Sequence, residues 1–182
     1  MKESAESDQS AHLPTRRQIV TRITAALSGM AAGPEIWGQT QPIKEAPSST
    51  TKDPRTSLHQ ENAFKASARR IYDLLLDSKL FAAFTGMPAE IDPKAGGAFT
   101  TFGGLVVGRN VETIAGQRIV QAWRPTHWDP GVYSIVRFEL KPQNAETFIV
   151  LDHTGFPEGE YDSLNKGWPL RYWEPLRKYI AA

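Results

Sequence analysis

Histidine and carboxylate side chains are the groups of this sequence best suited to proton transfer, and they are widely spaced. The four histidines are His12, His59, His127 and His153. This spacing does not match the short motifs that hold zinc on one helix face. His127 and Asp129 flank Trp128 in a predicted loop, where such a pair either performs acid–base chemistry or simply faces solvent. Asp152 and His153 are neighbours on a predicted strand, so they point to opposite faces and do not pair directly.

The remaining composition narrows the chemistry further. The chain has 182 residues, no cysteine and a formal net charge of +1. The lack of cysteine excludes disulfides, thiol nucleophiles and zinc–thiolate sites, and near-neutral charge argues against a chain built to bind nucleic acid. The doublets Gly96-Gly97 and Gly103-Gly104 lack the strand-to-helix order of a phosphate-binding loop and indicate hairpin turns. We therefore expect no metal and no cofactor, and the sequence leaves catalysis open while favouring a binding role.

Aromatic residues divide the chain into a tail and a domain. Of the 5 Trp, 5 Tyr and 8 Phe, only Trp37 precedes residue 58. A stretch with one aromatic residue buries too little apolar surface to offset its own ordering entropy. We therefore predict one domain at residues 58–182, joined to the N-terminus by a Pro-, Ser- and Thr-rich linker at residues 39–57.

Residues 1–38 have the order of an export signal. A polar start precedes Arg16 and Arg17, and a modestly apolar run of small residues follows at 23–33. Paired arginines before such a run resemble a twin-arginine signal, which predicts an exported, periplasmic protein of bacterial origin. A charged residue interrupts the run and no Ala-x-Ala site follows it, so a disordered arm on a cytoplasmic protein is the alternative. The run is too short to span a bilayer of about 30 Å, and no transmembrane segment is expected.

From residue 58 onward the hydrophobic pattern predicts an α+β domain. Helical spacing predicts one helix after the N-cap residue Ser67 and a second across Lys79–Phe84, ended by Gly86. The predicted strands are Leu58–Ala66, Ala98–Phe102, Leu105–Ile114, Arg118–Arg124, Val132–Leu140 and Glu146–Thr154. Short connections rich in turn residues make these six strands an antiparallel meander.

Bulky residues at a spacing of four predict a long C-terminal helix. They are Leu164, Trp168, Tyr172, Leu176 and Ile180. Such a stripe needs a large apolar partner, and the apolar face of the sheet is the available one. We predict that the main helix begins with Pro169 at its first position, and that Pro175 removes a backbone hydrogen bond and bends the helix.

The ordered motifs of residues 60–182 resemble those of a known family. They include Phe64-Lys65-Ala66-Ser67, Ile71-Tyr72-Asp73-Leu74-Leu75, Gly96-Gly97-Ala98-Phe99, Arg118-Ile119-Val120-Gln121-Ala122-Trp123-Arg124, Leu151-Asp152-His153-Thr154-Gly155-Phe156-Pro157 and Gly167-Trp168. As a set they resemble the C-terminal domain of heat-shock protein 90 ATPase activators and their bacterial homologues, in the START-like (SRPBCC) helix-grip superfamily. The resemblance implies a curved six-stranded sheet that wraps around the long C-terminal helix, with a cavity that often holds an apolar small molecule.

The alternation of residues along the strands and the spacing of four in the helix predict which residues line that cavity. The residues are Phe99, Trp123, Val136, Phe138, Leu140, Ile149, Leu151, His153, Trp168, Tyr172 and Leu176. The same residues could instead fill a dry core, with His153 as a hydrogen-bonded core histidine. The sequence therefore favours a non-enzymatic module that binds an apolar small molecule. The alternative is a co-chaperone-like module that contacts a chaperone partner, which export would disfavour because that chaperone is cytosolic.

Overall fold

An antiparallel sheet with helices packed against it forms the described part of the chain. A computed structural model describes residues 52–182. The strands are β1 (Ser57–Phe64), β2 (Glu90–Ile91), β3 (Ala98–Thr101), β4 (Val106–Ile114), β5 (Arg118–Pro125), β6 (Ser134–Gln143) and β7 (Glu146–Thr154). The helices are α1 (Ala68–Leu76), α2 (Ser78–Thr85), α3 (Tyr161–Trp168) and α4 (Glu174–Ala181). The strand order is β1-β7-β6-β5-β4-β3-β2, and all neighbours are antiparallel.

The α+β class and the antiparallel sheet are confirmed, but the sheet has seven strands where the sequence predicted six. The additional strand, β2, consists of two residues paired with Thr100 and Phe99 of β3, and so short a strand shows no alternation in the sequence. Phe102, predicted as the end of a strand, instead begins a 3₁₀ turn with φ of 54°. The export signal with Arg16 and Arg17 and most of the linker lie outside the described residues.

Capping residues set the limits of the two short helices. The Ser67 hydroxyl accepts a hydrogen bond from the backbone N–H of Arg70 at 3.2 Å, which confirms Ser67 as the N-cap of α1. The Asp77 carboxylate accepts from Lys79 and Leu80, both at 2.9 Å, and begins α2. Gly86 ends α2 in the left-handed region, with φ of 71°. Each cap satisfies backbone groups that the helix itself leaves without a partner.

One face of the sheet is buried against the helices, and β6 shows this most clearly. Its burial alternates residue by residue, with Ser134, Val136, Phe138 and Leu140 buried, as the predicted strand parity requires. β4 and β5 approach closely at Gly108, where an added Cβ would collide with the Ala122 carbonyl oxygen and the Phe99 ring. The apolar residues of α1, α2 and the C-terminal segment complete one continuous core with this face.

The opposite face carries ion pairs that link neighbouring strands. Arg137 on β6 contacts Asp152 on β7 at 2.8 Å and Glu139 at 3.3 Å, and His59 Nδ1 on β1 lies 2.7 Å from Asp152 Oδ1. The hydrogen bond to Asp152 raises the pKa of His59. Partial burial alone raises the pKa of Asp152, but the hydrogen bonds from His59 and Arg137 together outweigh it and hold that pKa below its usual value.

The C-terminal helix begins earlier than the sequence predicted, at Tyr161 rather than Pro169. Pro169 lies inside the helix, where its missing N–H leaves the Asn165 carbonyl without the usual helical donor. Gln60 Nε2 on β1 donates to that carbonyl at 3.1 Å, so a strand side chain replaces the lost bond. The helix then opens into a π-helical turn at Pro169–Trp173, which ends two residues before Pro175. In this turn the Glu174 N–H donates to the Pro169 carbonyl, five residues back.

Within residues 52–182, no helix combines the length and the apolar character needed to cross a lipid bilayer.

Candidate functional site

Aromatic rings of the C-terminal helix form the wall of the candidate site. The Trp168 and Tyr172 ring centroids are 4.4 Å apart, and Trp168 also lies 5.8 Å from Trp123 of β5. On the far side of Tyr172, Phe102 and Phe81 pack edge-on at 5.2 and 5.9 Å. The helical stripe seen in the sequence therefore packs on the sheet through its aromatic rings.

A buried hydrogen-bond chain fixes the position of Trp168. Trp168 Nε1 donates to His153 Nδ1 at 3.2 Å, so the other ring nitrogen, Nε2, carries the proton and donates to Ser134 Oγ at 2.7 Å. The Ser134 hydroxyl in turn donates to the Trp123 carbonyl at 3.0 Å. Every donor of this hydrogen-bond chain has an acceptor only when the His153 imidazole is neutral. Burial supports that state, because it lowers the pKa of His153 to about 3.

Beside this chain, a pocket of about 260 Å³ lies between the C-terminal helix and one end of the sheet. Its lining residues are Phe102, Leu105, Val106, Trp123, Pro125, Thr126, His127, Ser163, Leu164, Gly167, Trp168, Arg171 and Tyr172. They come from the 3₁₀ turn, the facing ends of β4 and β5, the following loop and the helix. A Cβ built on Gly167 would meet no atom within 4 Å, so the missing side chain at this position leaves the pocket open.

The pocket wall carries a small number of polar groups. Trp123 Nε1 lies beside the Tyr172 hydroxyl without completing a hydrogen bond and has no other partner. Burial raises the pKa of Tyr172 above its ordinary value, so its hydroxyl stays protonated. His127 Nε2 lies 3.6 Å from Glu160 Oε2, and the Thr126 hydroxyl donates to the Leu105 carbonyl. A wall of aromatic rings with few polar groups suits a ligand with a mainly apolar body.

The eleven predicted lining residues are all buried on the inner side of the sheet and helix. Trp123, Trp168 and Tyr172 line the pocket. Phe99 and Phe138 border a second void of only about 10 Å³, which Tyr172 separates from the pocket. The other six are Val136, Leu140, Ile149, Leu151, His153 and Leu176, and they lie in the packed interior. The pocket therefore lies at one end of the sheet, whereas packed side chains fill the volume over the middle of the sheet.

The sequence prediction missed most of the helix side of the pocket because it started the main helix at Pro169 and named only large apolar residues as lining. Ser163, Gly167 and Arg171 are spaced by four residues and form one lining row. Leu164, Trp168 and Tyr172 form a second, apolar row beside it. The apolar stripe already included Leu164, so extending the helix back to that residue would have revealed both rows.

His127 and Asp129 do not form an acid–base pair, and Asp152 and His153 do not pair with each other, as the strand pattern predicted. His127 is exposed and contacts Glu160 rather than Asp129. Asp152 and His153 point to opposite faces of β7: Asp152 bonds His59 and Arg137, whereas His153 lies in the interior. Among residues 52–182, no three His, Asp or Glu side chains converge as a metal-ligand set.

The matches to known proteins agree with this architecture. The family model described as "Activator of Hsp90 ATPase homolog 1-like protein" matches residues 65–181. The chain belongs to this AHSA1 family. It is 26% identical over 151 residues to the activator of 90 kDa heat shock protein ATPase homolog 1 of Homo sapiens, a match that covers 80% of this chain and 45% of that protein. It is 31% identical over 123 residues to the Dictyostelium discoideum homolog, covering 66% of this chain and 32% of that protein.

Solved AHSA1-like structures share the fold. An HSP90 activator from Plasmodium falciparum superposes with a TM-score of 0.67 at 21% identity, over 70% of this chain and 97% of that one. The Aha1 dimer from Colwellia psychrerythraea gives a TM-score of 0.59 at 16% identity, over 69% of this chain and 96% of that one. The chain spans less than half the length of the curated relatives it matches first.

Proposed function

We propose that this AHSA1 domain is a non-enzymatic binding module that holds a small, mainly apolar molecule in the pocket beside Trp123, Trp168 and Tyr172. The observation that carries the proposal is the pocket itself. The pocket of about 260 Å³ lies against three buried aromatic rings. A concave, mainly apolar lining of this kind is typical of sites that bind small molecules.

The pocket volume limits the size of the ligand. An engineered apolar cavity of about 150 Å³ holds benzene, and drug-sized ligands occupy about 300–1,000 Å³. The pocket, at about 260 Å³, lies between these values and suits a body of one or two rings. β-Naphthamide, which is neutral and has two fused rings, is a suitable probe.

Gly167 offers a way to block the pocket without disturbing the core. Gly167→Phe directs a ring into the open space over this residue, and its Cβ meets no neighbouring atom. Lys166→Phe is the matched control, because it adds the same ring at an exposed position that does not line the pocket. We expect the wild type and Lys166→Phe to bind β-naphthamide saturably, with shifts of indole N–H resonances in NMR spectra, and Gly167→Phe not to bind.

Thermal unfolding of each variant checks that the substitutions leave the fold intact. Native mass spectrometry of freshly purified protein adds an independent search for a retained molecule. If the wild type shows no saturable binding, or if Gly167→Phe binds as the wild type does, the pocket is not a ligand site.

A chaperone-binding role is the second candidate. The observation that favours it is the similarity to relatives named as activators of the 90 kDa heat shock protein ATPase. The test is the ATP hydrolysis rate of a purified chaperone of that type with increasing amounts of this chain. A saturable rise in rate would support the chaperone role, and a flat rate together with no complex in sedimentation would rule it out. A domain that is exported, as residues 1–38 predict, would not meet this cytosolic partner.

A further inference from the structure

The helix side of the pocket has an apolar row and a polar row. Leu164, Trp168 and Tyr172 supply the apolar wall, and Ser163, Gly167 and Arg171 supply the row beside it. Arg171 and Ser163 are exposed, whereas the aromatic residues are buried. A ligand seated against the rings therefore has its outer end next to a guanidinium and a hydroxyl.

Arg171 is a cation of this lining, and no acid among residues 52–182 forms an ion pair with it. The ion pairs at this end of the molecule join Arg55 to Asp162 and His127 to Glu160, and neither pair includes Arg171. None of the thirteen lining residues is Asp or Glu. Arg171 lies close enough to Tyr172 for its charge to lower the pKa of that hydroxyl, against the larger effect of burial, which raises it. The positive charge is thus beside the aromatic wall.

We propose that the pocket selects a small aromatic monocarboxylate, with its rings against Trp123, Trp168 and Tyr172 and its carboxylate on the Arg171 guanidinium and the Ser163 hydroxyl. A planar guanidinium matches the two oxygens of a carboxylate. A single unmatched cation balances one negative charge, whereas a phosphate monoester with nearly two charges would leave one uncompensated beside apolar rings. The inference rests on the proposed ligand-binding function and adds the charge and head group of the ligand.

The test compares two probes of the same shape, β-naphthoate and β-naphthamide, on the full chain. We expect β-naphthoate to bind the wild type about five- to tenfold more tightly, because a charge-assisted hydrogen bond is about twice as strong as a neutral one. Arg171→Gln removes the charge at the pocket and should weaken β-naphthoate by about five- to tenfold and β-naphthamide by less, which abolishes the preference. Lys178→Gln makes the same charge change at an exposed position on α4, outside the pocket lining, and should keep the preference.

The outcomes separate the inference from the proposed function. If both probes bind equally to the wild type, or Arg171→Gln weakens both to the same extent, the carboxylate selection is wrong while the apolar pocket stands. If β-naphthyl phosphate binds more tightly than β-naphthoate, the charge argument is wrong. If neither naphthoate nor naphthamide binds, and Gly167→Phe changes nothing, both proposals fail together.

Discussion

The buried histidine should make the stability of this domain fall on mild acidification. The decisive perturbation is His153→Gln, since a glutamine amide donates and accepts hydrogen bonds but does not titrate. His153 in the folded protein has a pKa of about 3, against an ordinary value of 6.5. Between these values the unfolded chain binds a proton that the folded protein does not. The free energy of unfolding therefore decreases as the pH falls through this window.

The size of the effect follows from the pKa difference. A difference of one pKa unit corresponds to about 1.4 kcal/mol. The full window between 6.5 and about 3 corresponds to about 5 kcal/mol, of which about 2 kcal/mol is lost between about pH 7 and about pH 5. That loss is a large part of the total stability of an ordinary domain, about 5–15 kcal/mol.

Urea denaturation of the wild type and His153→Gln at both pH values measures this effect. The variant should be less stable than the wild type at about pH 7, because its hydrogen bonds to Trp168 and Ser134 are imperfect, and the difference should shrink by about 2 kcal/mol at about pH 5. Ser134→Ala is the control, because it loses a bond of the same chain but keeps the titrating imidazole. Parallel pH dependences for wild type and His153→Gln would refute the neutral, buried histidine.

Two glycines should respond oppositely to the same substitution. Gly108→Ala should destabilise the domain by about 1–3 kcal/mol, because its Cβ collides with the Ala122 carbonyl and the Phe99 ring. Gly167→Ala should stabilise it by about 0.5–1 kcal/mol, because alanine favours a helix and its Cβ meets no atom. If chemical denaturation shows both variants changing the free energy of unfolding in the same direction, the packing described at one of the two glycines is wrong. Asp152→Asn should lower the pKa of His59 toward its ordinary value in an NMR titration, since the bond to Asp152 raises it. The stabilisation from that pair is present below the ordinary histidine pKa and lost as the pH rises through the raised one; an unchanged titration would exclude the pair. N-terminal sequencing of protein from fractionated cells should find the chain starting after about residue 33 in the exported fraction, and an intact cytoplasmic chain would contradict export.

The sheet could be predicted because its strands follow simple patterns. In β6 the apolar and polar residues alternate, and burial alternates with them. In β7 this pattern is weaker because Val150 is buried although it lies on the outer face. Val150 is paired with Glu61 and Glu139 on the two neighbouring strands, whose long side chains can cover a central position. The alternation of apolar and polar residues along a strand therefore identifies its core-facing side only where the other side of the sheet is exposed to solvent.

The candidate site was harder to predict, because it depends on contacts between distant parts of the chain. Gly167 and Pro169 are ordinary signals for a helix boundary. The helix continues through them, and Gln60, on a strand more than a hundred residues earlier, donates to the Asn165 carbonyl that Pro169 leaves without its usual helical donor. A prediction that starts the helix at these two signals places Ser163 and Gly167 outside it, although the apolar stripe from Leu164 runs through them. The aromatic residues were found because their spacing is local.

The π-helical turn at Pro169–Trp173 has a consequence for the rotational phase of the C-terminal helix. An α-helix turns by about 100° per residue, and the five-residue hydrogen-bond step of this turn acts as one inserted residue. The helix thus consists of two segments of different phase: α3 turns toward the pocket, while α4 packs against α2. Deleting one residue from the turn would rotate α4 relative to α3 and move Leu176 off the core. Because the π-helical turn separates the two segments, the side of α3 that faces the pocket and the side of α4 that packs on α2 do not have to follow one continuous helical stripe.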